Sequence, residues 1–134
     1  MIRTLRFTVR TRGRTDIVDI TSQVASAVRG SGVATVFVSG STAGLTTIEN
    51  EPGLLEDLRE AFERIAPSSR RYHHAETAGD DNGVAHVRAA MLGPSLTVPF
   101  ADGRLLLGTW QQIVLVDFDT RPRTREITVQ LVGE

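Results

Sequence analysis

Residues 112–118, QIVLVDF, are apolar at almost every position, so neither face of this stretch is suited to water. A strand of that kind lies centrally in a sheet or against a subunit contact. VATVFV at 33–38 is β-branched and apolar on both faces, and reads as a second central strand. Residues 2–10 differ. Leu5, Phe7 and Val9 alternate with Arg6, Thr8 and Arg10, the pattern of a half-buried strand with a wet basic face.

The rest of the chain follows from stripes and punctuation. Ile17, Val18 and Ile20 lead into a short helix at about residues 22–30, with Asp19 or Thr21 as cap and Gly32 as stop. Pro52 opens the clearest helix, roughly 53–65. Its stripe is Leu54, Leu55, Leu58, Ala61, Phe62 and Ile65, and Asn50 is its candidate cap. Residues 75–82 form a polar loop whose Asp81 or Asn82 caps a helix at about 83–92, which Gly93 and Pro94 end. SLTVPF, RLLLG, QIVLVDF and REITVQLV then supply four strands. The order is neither regularly βαβ nor all-β, so the class is α+β in one domain, residues 1–134, with about seven strands and three helices.

Composition removes several functions. The net charge is −1 and no apolar run reaches membrane-spanning length, which argues against nucleic-acid and membrane partners. The N-terminal stretch MIRTLRFTVR lacks the apolar block of a signal peptide. Cysteine is absent, so disulfides and thiolate chemistry are excluded, and a cytoplasmic protein is expected. All 15 basic residues are arginine; this carries no functional meaning of its own.

Unusual residues concentrate in 72–111. His73, His74, His86 and the single Trp110 lie there, with Asp80 and Asp81 between two of the histidines. Imidazoles shuttle protons or ligate metal near neutral pH, and a carboxylate can orient one or bind a cation itself. The spacing matches neither a zinc finger nor HExxH. From spacing alone the structural reading is preferred: Asp81 caps a helix, Asp80 is solvated and His73 is an exposed neighbour. Arg88 and Arg104 are candidate anion binders. SGSTAGLTT, after the 33–38 strand, is a hydroxyl-rich link in which N–H and hydroxyl groups could converge on an anion, or an ordinary tight connection.

The succession STAGLT with EN, then YHH, GDD and AH, then MLGPSL and GTWQ, resembles the YjbQ family, also called secondary thiamine-phosphate synthases. The likeness runs along essentially the whole chain. It implies a β-sandwich-like core, a homotrimer, and the joining of hydroxymethylpyrimidine diphosphate to thiazole phosphate with release of pyrophosphate. Residue by residue, it makes His74, His86 and Asp81 the catalytic group and the ligands of a divalent ion, Mg or Zn. Ser41 and Thr42 match the family's hydroxyl pair, Glu49 and Asn50 its acidic–amide pair, and Trp110 and Gln111 its WQ. These six, with Arg88, are the substrate-binding candidates for a small phosphorylated metabolite. Three positions depart from the family: Gly40 stands where it has His, Ile48 where it has Asn, and Gln112 where it has Gly. Those departures raise an alternative, a member that binds an anionic or phosphorylated metabolite without turnover.

Overall fold

Eight strands form two antiparallel sheets in the computed structural model, which describes residues 1–134. In chain order the elements are β1 (Ile2–Thr11), β2 (Asp16–Asp19), α1 (Thr21–Ala25), β3 (Gly32–Val38), β4 (Ala43–Ile48) and α2 (Pro52–Ile65). They continue with α3 (His73–Ala78), α4 (Gly83–Leu92), β5 (Ser95–Ala101), β6 (Arg104–Leu105), β7 (Gln112–Asp117) and β8 (Arg123–Gly133). The larger sheet runs β1-β8-β3-β5-β6 and the smaller β2-β7-β4.

β7 justifies its apolar sequence. It is the middle strand of the smaller sheet and is buried on both faces. Ile113 and Leu115 join Val36, Val38, Leu45, Ile127 and Val129 in the core between the sheets. Val114 and Val116, on the opposite face, join Phe62, Ala85, Ala89 and Phe118 beneath α2 and α4. Phe62 meets Phe118 edge-on at 4.8 Å between centroids, a favourable aromatic geometry.

β3 is central between β8 and β5 as expected, but only one of its faces is covered. Val33 and Phe37 stay about two-fifths exposed, at 40% and 42%. In the register of the sheet, Ile2, Val132, Val33 and Pro99 form one row across that open face.

The class is α+β, with eight strands and four helices rather than seven and three. Residues 43–48, read as part of a hydroxyl-rich link, are strand β4, paired with β7 along its whole length. Small residues are needed there because α4 lies on top: a Cβ on Gly44 would fall 2.8 Å from the Gly93 carbonyl oxygen. Residues 73–78, placed in loop or strand-like chain, form the one-and-a-half turns of α3. The predicted helix at 22–30 contracts to α1, and RLLLG keeps only Arg104 and Leu105 as strand. α2 is capped by Glu51, not Asn50. The Glu51 carboxylate accepts from Gly53 N–H at 3.1 Å and Leu54 N–H at 2.8 Å. Ile65, the last residue of the predicted stripe, is 57% exposed at the C-terminal end of α2. No helix is long and apolar enough to cross a membrane.

Candidate functional site

A densely bonded buried polar network lies where β1, β4, β7 and β8 meet. Asp117, at the end of β7, is fully buried. Its carboxylate accepts from Arg125 Nε at 2.7 Å and Nη2 at 2.9 Å, and from the Thr11 hydroxyl at 2.5 Å. Asp119, also fully buried, accepts from Arg123 Nε at 2.8 Å and the Thr42 hydroxyl at 3.0 Å. Arg125 Nη2 donates in addition to Thr42 Oγ1 at 2.6 Å. Burial alone raises a carboxyl pKa, yet both acids sit below the ordinary value of 3.8. At Asp117 the hydrogen bonds of Arg125, Thr11 and the Asp119 N–H outweigh burial; at Asp119 those of the Thr120 N–H, Thr42 and Arg123 do so.

This network was missed from sequence, although a signal existed. Arg125 has the same parity as Ile127, Val129 and Leu131 along β8, so it lies on the buried face of that strand. Its consequence is to hold Thr42, which is itself buried and whose carbonyl accepts from Phe118 N–H at 2.9 Å.

Gly40, two residues earlier, is shaped by the same arginine. Its φ of +132° is one that L side chains rarely adopt, and a Cβ there would fall 2.7 Å from Arg125 Nη1. The histidine that the resemblance puts at this position would displace a guanidinium already bonded to Asp117 and Thr42. Past Gly40 opens a cleft of about 380 Å³. Gly40, Ser41 and Ala43 line one wall, and His86, Ala89 and Pro94 the other.

His86 rises from the first turn of α4 and packs its ring against His74 of α3, edge to face, at 4.8 Å between centroids and 64° between planes. Gly83 makes this corner. A Cβ on it would fall 2.6 Å from Tyr72 Cβ and 3.2 Å from His74 Cβ. Tyr72 is fixed from the other side, its hydroxyl donating to the Pro67 carbonyl at 2.8 Å. His73 is exposed, as expected, and faces Glu76 at 3.8 Å. Asp81 does not join the imidazoles in a ligand set; it accepts from the Thr120 hydroxyl at 3.3 Å. No group of three or more His, Asp or Glu side chains of the chain is arranged to hold a metal ion. Asn82 occupies the N-cap position of α4 without a side-chain cap bond, and its buried Oδ1 has no partner.

The remaining candidates lie elsewhere. Glu49 and Asn50 follow the far end of β4 from Ser41, and the six residues of that strand span roughly 20 Å at about 3.3 Å per residue. At that end Gln111 donates to the Thr47 hydroxyl at 3.1 Å, and both line a second cleft of about 350 Å³. Trp110 is beside it, 72% exposed. Arg88 is buried, and its donors are taken by structural partners. Nε and Nη2 bond the Ala66 carbonyl at the end of α2, Nη1 bonds Thr15 Oγ1, and Nη2 pairs with Glu63 at 3.0 Å. Arg104 is exposed on the edge strand β6.

The buried acids give a pH dependence of definite sign. Their folded pKa values are lowered, so their contribution is complete above the unfolded value of about 4 and is lost as pH falls below it. Urea midpoints measured from pH 7 to pH 3 are expected to fall in the acid limb, and Asp117→Asn should fall less steeply. An equal slope for the variant would show that Asp117 does not carry the effect.

The family model described as UPF0047 protein YjbQ-like matches residues 5–134. A UPF0047 protein of Archaeoglobus fulgidus is 40% identical over 127 residues, 94% of this chain and 98% of the relative. The UPF0047 protein YugU of Bacillus subtilis is 32% identical over 138 residues, 99% of this chain and 100% of its own. Among solved structures, the hypothetical protein APE1520 of Aeropyrum pernix superposes with a TM-score of 0.89 at 34% identity, covering 98% of this chain and 99% of that one. A YbjQ-like protein of unknown function from Sulfolobus solfataricus gives 0.87 at 33%, covering 100% of both. With the family model matched over residues 5–134 and both fold and length shared, the chain belongs to the YjbQ-like UPF0047 family, a family of proteins of unknown function.

Proposed function

We propose that the cleft between residues 40–43 and α4 binds a small phosphorylated metabolite, and that His86, backed by His74, acts on it there. One observation carries the reading: a hydroxyl and an imidazole, both without hydrogen-bond partners in the chain, line one opening. The chemistry we assign is the one the resemblance implies, condensation of hydroxymethylpyrimidine diphosphate with thiazole phosphate. Its demand is for stabilisation of charge on the departing diphosphate. Ser41 donates a hydrogen bond to it, and His86 serves as the general acid toward the leaving oxygen. Cytoplasmic placement belongs to this reading, and the lack of cysteine agrees with it.

A second reading, binding without turnover, is favoured by Gly40 and by the lack of a gathered three-ligand set. Purified protein supplied with both precursors is expected to form thiamine phosphate above a protein-free control. His86→Ala should lower the rate about 10²- to 10⁴-fold, the range for a general acid. Pyrophosphate binding with no product at any precursor concentration supports the second reading, and absence of both binding and product overturns the two together.

Glu49, Asn50, Trp110 and Gln111 belong to the same reading only if another copy of the chain supplies them, since within one chain they lie at the opposite end of β4. We assign that role to a homotrimer. The open row Ile2, Val132 and Val33 and the exposed Trp110 support an assembly. Sedimentation is expected to give three times the 14.6 kDa chain mass. Inactive His86→Ala and Gln111→Ala chains, refolded together, should recover part of the activity; a monomer, or mixed assemblies with none, would count against shared sites.

A further inference from the structure

We propose that Arg125 is the buried cation that reads the anion in this cleft, and that Gly40 is the specificity-determining residue that leaves it open to do so. The inference rests on the phosphate-cleft reading and adds the group that recognises the phosphate.

A guanidinium offers five N–H groups in a fixed plane. In Arg125 the Nε donor goes to Asp117, and Nη2 serves Asp117 and Thr42. Nη1 bonds to nothing in the chain. Arg125 is only 7% exposed, so an unused pair of donors would be costly if it were sealed. It is not sealed, because the one fully enclosed side-chain polar atom without a partner is Asn82 Oδ1. The Nη1 donors therefore reach solvent from an otherwise buried side chain.

Nη1 stands against Gly40, which lines the cleft although Arg125 itself does not, so an anion there would meet it past that glycine. It lies 2.7 Å from where a Cβ on that residue would be. The next residue, Ser41, lines the same cleft. Any side chain at position 40 would stand on the donors. The two buried acids and the two arginines of the network balance in charge, so the recognition is one of directed N–H donors, not of net attraction. Asp117 occupies the Nε–Nη2 fork and fixes the plane of the guanidinium, which leaves Nη1 preorganised. A tetrahedral phosphate or diphosphate oxygen, accepting from Nη1 and from the Ser41 hydroxyl, is the ligand class such an arrangement takes.

Arg125→Ala would break a buried network and unfold the chain for structural reasons, so the test uses the unmodified protein first. Inorganic pyrophosphate is titrated into the full chain while the guanidinium resonances are followed by ¹⁵N NMR, with Arg88 as internal control. The Arg125 signals should shift with the same saturation curve as calorimetric binding, and those of Arg88 should not. Gly40→Ala, checked for folding by circular dichroism, should weaken pyrophosphate binding about tenfold to a hundredfold, the value of a charge-assisted hydrogen bond. Binding that leaves the Arg125 resonances unmoved and is unchanged in Gly40→Ala overturns this assignment while the cleft reading stands. No pyrophosphate binding to the unmodified chain overturns both.

Discussion

The fold turns on one buried ion pair. A carboxylate with no solvent exposure is tolerated only when its oxygens are fully bonded, and Asp117 meets that condition through Arg125 and Thr11. Those three residues come from β7, β8 and β1, and Thr42, just ahead of β4, joins through the same guanidinium. Four strands from both sheets are thus fixed to one charged group at one end of the core. Such a pair is weak evidence for stability, since an apolar replacement of equal volume is often neutral, but breaking it on one side is costly. Its retention is more readily explained by what it positions.

What it positions is the 40–43 turn. Thr42 is held by Arg125 and Asp119, so Gly40 and Ser41 are presented at a fixed place opposite α4. The other wall is set independently. Gly44 lets α4 approach β4, Arg88 fastens α4 to the end of α2, and Gly83 admits Tyr72 and His74 beside His86. The cleft is therefore built between two rigid supports, the arrangement that keeps binding groups in place before a ligand arrives.

Much of this scaffold was legible in the sequence, and the gaps have physical causes. The two-faced apolar run of β7, the alternation of β1 and the Leu stripe of α2 report burial directly, because each face meets a single environment. β4 was hidden because it opens on Ala43 and Gly44, small residues that read as a link, and Gly44 is set by the helix lying on it. α3 is too short and polar to carry a stripe. The contact of His74 with His86 depends on the reversal between α3 and α4, which spacing does not encode. Gly40 reads as a lost histidine in a motif, yet beside Arg125 it is the residue that fits. The resemblance pairs Ser41 with Thr42, but only Ser41 lines the cleft; Thr42 is buried in its support.

The account holds that an anion enters between residues 40–41 and His86. A crystal structure grown with inorganic pyrophosphate addresses that most directly. Difference density for a phosphate group against the Ser41 hydroxyl, Arg125 Nη1 and the His86 ring is the predicted result. Pyrophosphate bound instead in the cleft by Thr47 and Gln111, with the 40–43 turn and His86 untouched, would contradict it.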